Sequence, residues 1–178
     1  MKKLIILLFG CALLWACNQP KPEPETPAEE VKPGPVEIGD SKFIDVSKES
    51  LNSLVSGNLD GFTNAFADDA KFFWNYGDSV VGKAAIVEYW KERRNNVIDT
   101  LIMSEDVWLV INANESPGAN VPTGTWVFGW YTATAKYKAT GKSMTQSIHQ
   151  AGHFNQSGKI DIMYQYLDRA LIQAALKK

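Results

Sequence analysis

The stretch Gly57–Phe72, GNLDGFTNAFADDAKF, decides how the folded part of the chain is read. Gly57 stands at a natural helix stop, because glycine enters the left-handed closing conformation without a Cβ penalty. Asn58 follows with a side chain able to cap a second helix. Leu59, Phe62 and Phe66 then recur at helical spacing and predict a short helix. Asp68 and Asp69 come between that helix and the aromatic run AKFFWNY (70–76), which is short and reads as a strand. Turn chemistry accounts for the two aspartates. Adjacent residues on a strand would in any case point to opposite faces, so they are not read as a catalytic carboxylate pair.

Working outward, Ile44, Leu51, Leu54 and Val55 share one face of a helix that runs up to Gly57. A third helix opens near Gly82, with Ile86, Tyr89, Trp90 and Val97 as its apolar stripe. The remainder reads as strands. DVWLVINA (106–113) is apolar and β-branched, and SPGANVPTG (116–124) is a loop of turn formers. TWVFGWYTATAKY (125–137) runs to a turn at Gly141. MTQSIHQAGHF (144–154) and KIDIMYQYL (159–167) flank a hairpin loop at 155–158. RALIQAALKK (169–178) closes the chain as a helix with basic residues at its C-terminal end. Helices first and antiparallel strands later give an α+β class and one domain, 42–178. A formal net charge of −2 gives no sign of nucleic-acid binding. No phosphate loop or internal repeat is present.

The N-terminal part has another character. Lys2 and Lys3 precede an apolar run, Leu4–Leu14, too short to span a bilayer comfortably, which takes about 20 residues. A basic head, a short apolar core and a small residue before Cys17 describe an export signal over 1–16. The tetrapeptide LWAC (14–17) resembles the lipobox of bacterial lipoproteins, which implies that Cys17 is lipidated and becomes the first mature residue. The only other cysteine, Cys11, lies inside the signal, so the mature chain has no internal disulfide. Six of the eight prolines fall between Pro20 and Pro35, among many glutamates, and 17–41 is read as an extended tether. In polyproline II form, at ~3.1 Å per residue, it would hold a domain on the order of 60 Å from a membrane. The expected location is the bacterial cell envelope, on the outer membrane, through an acyl anchor.

Three stretches together, GNLDGFTNAFADDAKF, GKAAIVEYW (82–90) and HFNQSGKIDIMYQYLD (153–168), resemble the SnoaL-like branch of the nuclear transport factor 2-like superfamily. The resemblance implies a curved antiparallel sheet wrapped around helices into a cone, with a pocket at its mouth. It also implies frequent homodimers through the outer face of the sheet. The branch holds cyclases, isomerases, dehydratases and pure binding modules, so the site must decide the function. Steroid isomerases place a carboxylate on the first strand, where this chain has Trp74 or Asn75, and a tyrosine in the first helix, where it has Ser50. A general base and an oxyanion donor are thus both missing.

The resemblance to polyketide cyclases carries Asp168 onto a catalytic aspartate, with His153, or alternatively His149, as its partner. Against this, Asp168 directly precedes a helix and can simply cap it. Each histidine can equally be a hydrogen-bonded structural residue. His149 and His153 lie about 13 Å apart along a strand, too far to share a metal, and no metal or cofactor is expected. Trp74, Tyr76, Trp90, Trp130, Tyr164 and Tyr166 are candidates for the wall of a ligand pocket. Trp126, Phe128 and Trp130 share one face, and Tyr164, Tyr166 and Asp168 another, without a sign of which face is concave. Three readings follow: a binder of a small apolar or amphipathic ligand, a cyclase-, isomerase- or hydrolase-type enzyme using Asp168 and a histidine, and a ligand-free interaction module.

Overall fold

The computed structural model describes residues 32–178. The elements run β1 (Val36–Ile38), α1 (Lys42–Ser56), α2 (Leu59–Asn64), β2 (Phe66–Trp74), β3 (Ser79–Val81), α3 (Lys83–Glu92), a π-helical turn (Arg93–Val97), β4 (Ile98–Ala113), β5 (Gly124–Tyr137), β6 (Ser143–Phe154), β7 (Ile160–Tyr166) and α4 (Arg169–Leu176). One seven-stranded sheet has the order β1-β4-β5-β6-β7-β2-β3. Its neighbours are antiparallel except β2 and β7, which run parallel. The expected α+β class, a curved sheet with helices, is what the chain adopts. The export signal, Cys17 and most of the tether lie outside the described residues.

The opening stretch folds largely as its side chains dictate. Gly57 closes α1 at φ 81°, its N–H bonded to the Leu54 carbonyl. The Asn58 side chain accepts from the Gly61 N–H at 3.0 Å and starts α2. Ser50 ties the two helices together by donating to the Phe62 carbonyl at 2.8 Å. Leu54, Phe62, Phe66, Phe72, Ile86 and Trp90 share one core with Tyr137, Ile160 and Met163.

Several expectations are corrected. Phe66 is not in α2, which ends at Asn64; it opens β2. Asp68 and Asp69 are exposed residues within β2, not in a turn before it. Between Phe66 and Lys71 the pairing with β7 shifts register, so the two aspartates sit in an irregular stretch of β2 that β3, paired only with 71–73, leaves open on its other side. Val97 belongs to the π-helical turn rather than to a continuing α-helix. β4 begins at Ile98 instead of Asp106, and an irregularity between Ser104 and Val107, with Glu105 at φ 55°, bends it midway. Val36–Ile38, expected within the tether, pairs with Ile111–Ala113 as an edge strand. Those three residues alternate with no proline among them, and an open backbone edge of β4 is available to them.

Candidate functional site

The bent strands leave a cavity of about 520 Å³ between the concave face of the sheet, α3 and α4. Strand parity decides what faces it. Along β5, Tyr131, Ala133, Ala135 and Tyr137 point inward; β6 contributes Met144, Gln146 and Ile148, and β7 contributes Gln165. Trp74 from β2, Trp90 from α3, and Leu101 and Met103 from β4 complete walls that are mainly apolar. Ala133 and Ala135 carry small side chains at the middle of the sheet, and this is what keeps the space open.

A short polar network crosses the floor. The Trp74 Nε1–H donates to Gln165 Oε1 at 3.1 Å. Gln165 Nε2 donates to the Tyr131 hydroxyl at 3.3 Å, and that hydroxyl donates to Gln150 Oε1 at 2.9 Å. Burial raises the Tyr131 phenol well above its ordinary range, so it stays protonated. The indole N–H of Trp90, buried beside the cavity, has no partner among the described residues.

Charge gathers at the mouth. Arg169 stands over the Tyr76 ring at 4.5 Å and faces Asp78 at 3.6 Å. Arg93, on the first residue of the π-helical turn, stands over the Tyr89 ring at 5.7 Å. The adjacent Arg94 turns away and donates to the Val55 carbonyl at the end of α1, at 3.1 Å. Burial raises the Tyr76 and Tyr89 phenols; Arg169 and Arg93 act against it at Tyr76, and Arg93 at Tyr89.

The candidates from the sequence divide between two faces. Trp74, Tyr76 and Trp90 line the cavity. Trp130, Tyr164 and Tyr166 do not; they belong to the outer, convex face, so the six aromatics form no single pocket wall. There Trp126, Phe128 and Trp130 form a stacked row, His149 packs on Trp130 at 4.7 Å, and Tyr166 packs against His149 at 5.5 Å. Tyr164 stacks between Phe73 and Trp126.

Neither histidine lines the cavity. His149 Nδ1 lies 3.2 Å from the Gly129 carbonyl. His153 is buried, with Nδ1 on the Asp161 carboxylate and Nε2 on the Thr123 carbonyl at 3.0 Å, so both ring nitrogens are already engaged. Asp168 caps α4, accepting from the Ala170 N–H at 2.8 Å. Its own N–H donates to Gln146 Oε1 at 2.7 Å. Asp168 and His149 share only a shallow surface groove with Trp130 and Tyr166, whereas His153 sits near the 155–158 hairpin.

The sequence reading missed Tyr89, Arg93, Tyr131, Gln146, Gln165 and Arg169. One signal for part of this set was present: Gln146, Gln150 and Gln165 fall among apolar strand residues, where a buried amide needs a partner network.

A curved sheet folded around helices, with an apolar chamber between them, defines a nuclear transport factor 2-like domain. Within that class the chain belongs to the SnoaL-like domain family, whose profile matches residues 48–162. No curated protein sequence matches significantly. Among solved structures, a candidate polyketide cyclase from Xanthomonas campestris pv. campestris is 14% identical over 77% of this chain and 98% of its own, with a TM-score of 0.62. An NTF2-like protein of unknown function from Burkholderia pseudomallei is 14% identical, with 78% and 100% covered and a TM-score of 0.60. An LEH-like epoxide hydrolase from M. tuberculosis is 14% identical, with 76% and 90% covered and a TM-score of 0.55. These likenesses are likenesses of fold.

Proposed function

We propose that the domain binds a small apolar or amphipathic ligand in the concave cavity. One observation carries this reading: a space of about 520 Å³, walled by aromatic and aliphatic side chains, with a few polar groups on its floor and at its mouth. Ligand sites in proteins have this size and this mixture. Turnover through Asp168 and a histidine is the second reading: His149 and His153 lie outside the cavity, and Asp168 meets His149 only in the outer groove while it caps α4. The reading places the domain at the cell envelope, held by an acyl group on Cys17, on the strength of LWAC at the end of a short apolar run. It also includes a homodimer through the convex face, where Trp130, Tyr166, Val107 and Leu109 are exposed.

The test is binding of a neutral fluorescent probe, N-phenyl-1-naphthylamine, to the purified chain. Ala135→Trp fills the cavity and is expected to weaken binding at least tenfold, with Ala133→Met as a milder obstruction. Equal binding by wild type and by folded obstructed variants would defeat the cavity reading.

A further inference from the structure

The mouth of the cavity holds a positive charge that the protein does not answer. Arg169 has Asp78 at 3.6 Å. Arg93 has no carboxylate within ion-pair distance among the described residues. The nearest acid in sequence, Glu92, is engaged instead by the Asn96 side chain at 2.6 Å. Arg93 is half-buried and lies on the cavity wall with Ile98, Tyr89 and Tyr137. A guanidinium on a partly desolvated wall, carrying five donors in a rigid fork, fits a planar oxyanion better than it fits water. Phenols surround it. Burial raises the Tyr89 and Tyr137 phenols, and Arg93 is the main charge opposing it at both.

Building on the ligand-binding reading, we infer that the cavity takes an amphipathic carboxylate, its charged end on Arg93 at the mouth and its apolar body against Trp90, Leu101 and Met103. Two arginines less one aspartate leave a single positive charge on the lining, which suits a monoanion better than a phosphate dianion. Tyrosine hydroxyls at the rim supply further donors to the same oxygens. The buried amides of Gln146 and Gln165 lie along the sheet, where a hydroxyl or keto group on the ligand body would meet them.

Calorimetry on the purified full chain with two matched pairs tests this. Decanoate against decan-1-ol is the flexible pair, and 2-naphthoate against 2-naphthamide is the rigid one. In at least one pair the acid is expected to bind roughly tenfold or more tightly than its neutral partner, as a charge-assisted bond to a partly buried arginine implies. Arg93→Gln is expected to remove that preference, lowering the affinity of the acid roughly tenfold more than that of its neutral partner, and Arg93→Lys to keep part of it. Arg169→Gln should lessen the preference without abolishing it, because the freed Asp78 carboxylate repels the acid while Arg93 keeps its contact. Equal affinities within both pairs, or a preference that survives Arg93→Gln, would overturn the carboxylate inference and leave the cavity reading standing. Absence of binding by all four compounds, together with failure of the neutral probe, would overturn both.

Discussion

The clearest test at the scale of single residues is Asp168, because its two readings separate on one substitution. As the cap of α4 it needs only an acceptor oxygen for the Ala170 N–H. Asp168→Asn is therefore expected to change stability by no more than a few tenths of a kcal/mol, and Asp168→Ala to cost about 1 kcal/mol, measured by denaturant unfolding. An equal loss for both would show that the carboxylate does something a cap does not. Tyr131 gives a second test. Burial raises its folded-state phenol above the ordinary value of 10.0, which the unfolded chain retains. The stability linked to this group is thus complete below about pH 10 and declines as pH rises from there toward the folded value. Tyr131→Phe should lower stability at neutral pH, since Gln150 and Gln165 lose a partner. It should also flatten the decline above pH 10; an unchanged alkaline slope would refute the assignment. Asp168 and the cap were legible from the sequence because capping is local. The partners of His153 were not, since Asp161 and Thr123 reach it only through strand pairing.

At the scale of elements, local chemistry was legible and long-range geometry was not. Gly57, Asn58 and Gly82 mark their helix boundaries in the structure as their chemistry implies. Which side of β5 is concave could not be read, because Trp126, Phe128 and Trp130 alternate with Val127, Gly129 and Tyr131, and both rows are apolar enough for a core. The bend in β4 and the irregular stretch of β2 were likewise hidden. Both depend on register with a neighbouring strand, and no single residue type announces them. Gly129 is instructive here. It lies opposite Trp108 on β4, and a Cβ there would stand 2.6 Å from the indole ring. The missing side chain lets Trp108 lie flat over the strand and stack toward Tyr131 at 6.2 Å. Gly129→Ala is expected to cost about 1–3 kcal/mol by overpacking, read from the midpoint of chemical denaturation. A neutral result would mean that Trp108 swings aside freely.

For the whole molecule, two proposals concern how it is held and with what. Cys17→Ala should move the protein from the membrane fraction to the soluble fraction after export. Identical detergent partitioning of variant and wild type would contradict an acyl anchor. The convex face makes a separate forecast: light scattering should report a dimer, and Trp130→Glu with Val107→Glu should shift it to monomer without lowering the melting temperature greatly. A monomer at high micromolar concentration in the unmodified protein would count against the pairing. The edge strand β1 adds a mechanical consequence. It is three residues long and stands first in the described chain, directly after the proline-rich segment. A pull applied from the N-terminal side loads β1 before any other described element. Peeling it from β4 would release roughly 10 Å of chain, at about 3.3 Å per residue. It would leave the long strands β4 to β7 paired as before. Under tension the strand would act as a fuse that yields early and re-forms when the load drops, and the cavity, lined from β4 by Ile98, Leu101 and Met103 at the other end of that strand, would feel little of the force.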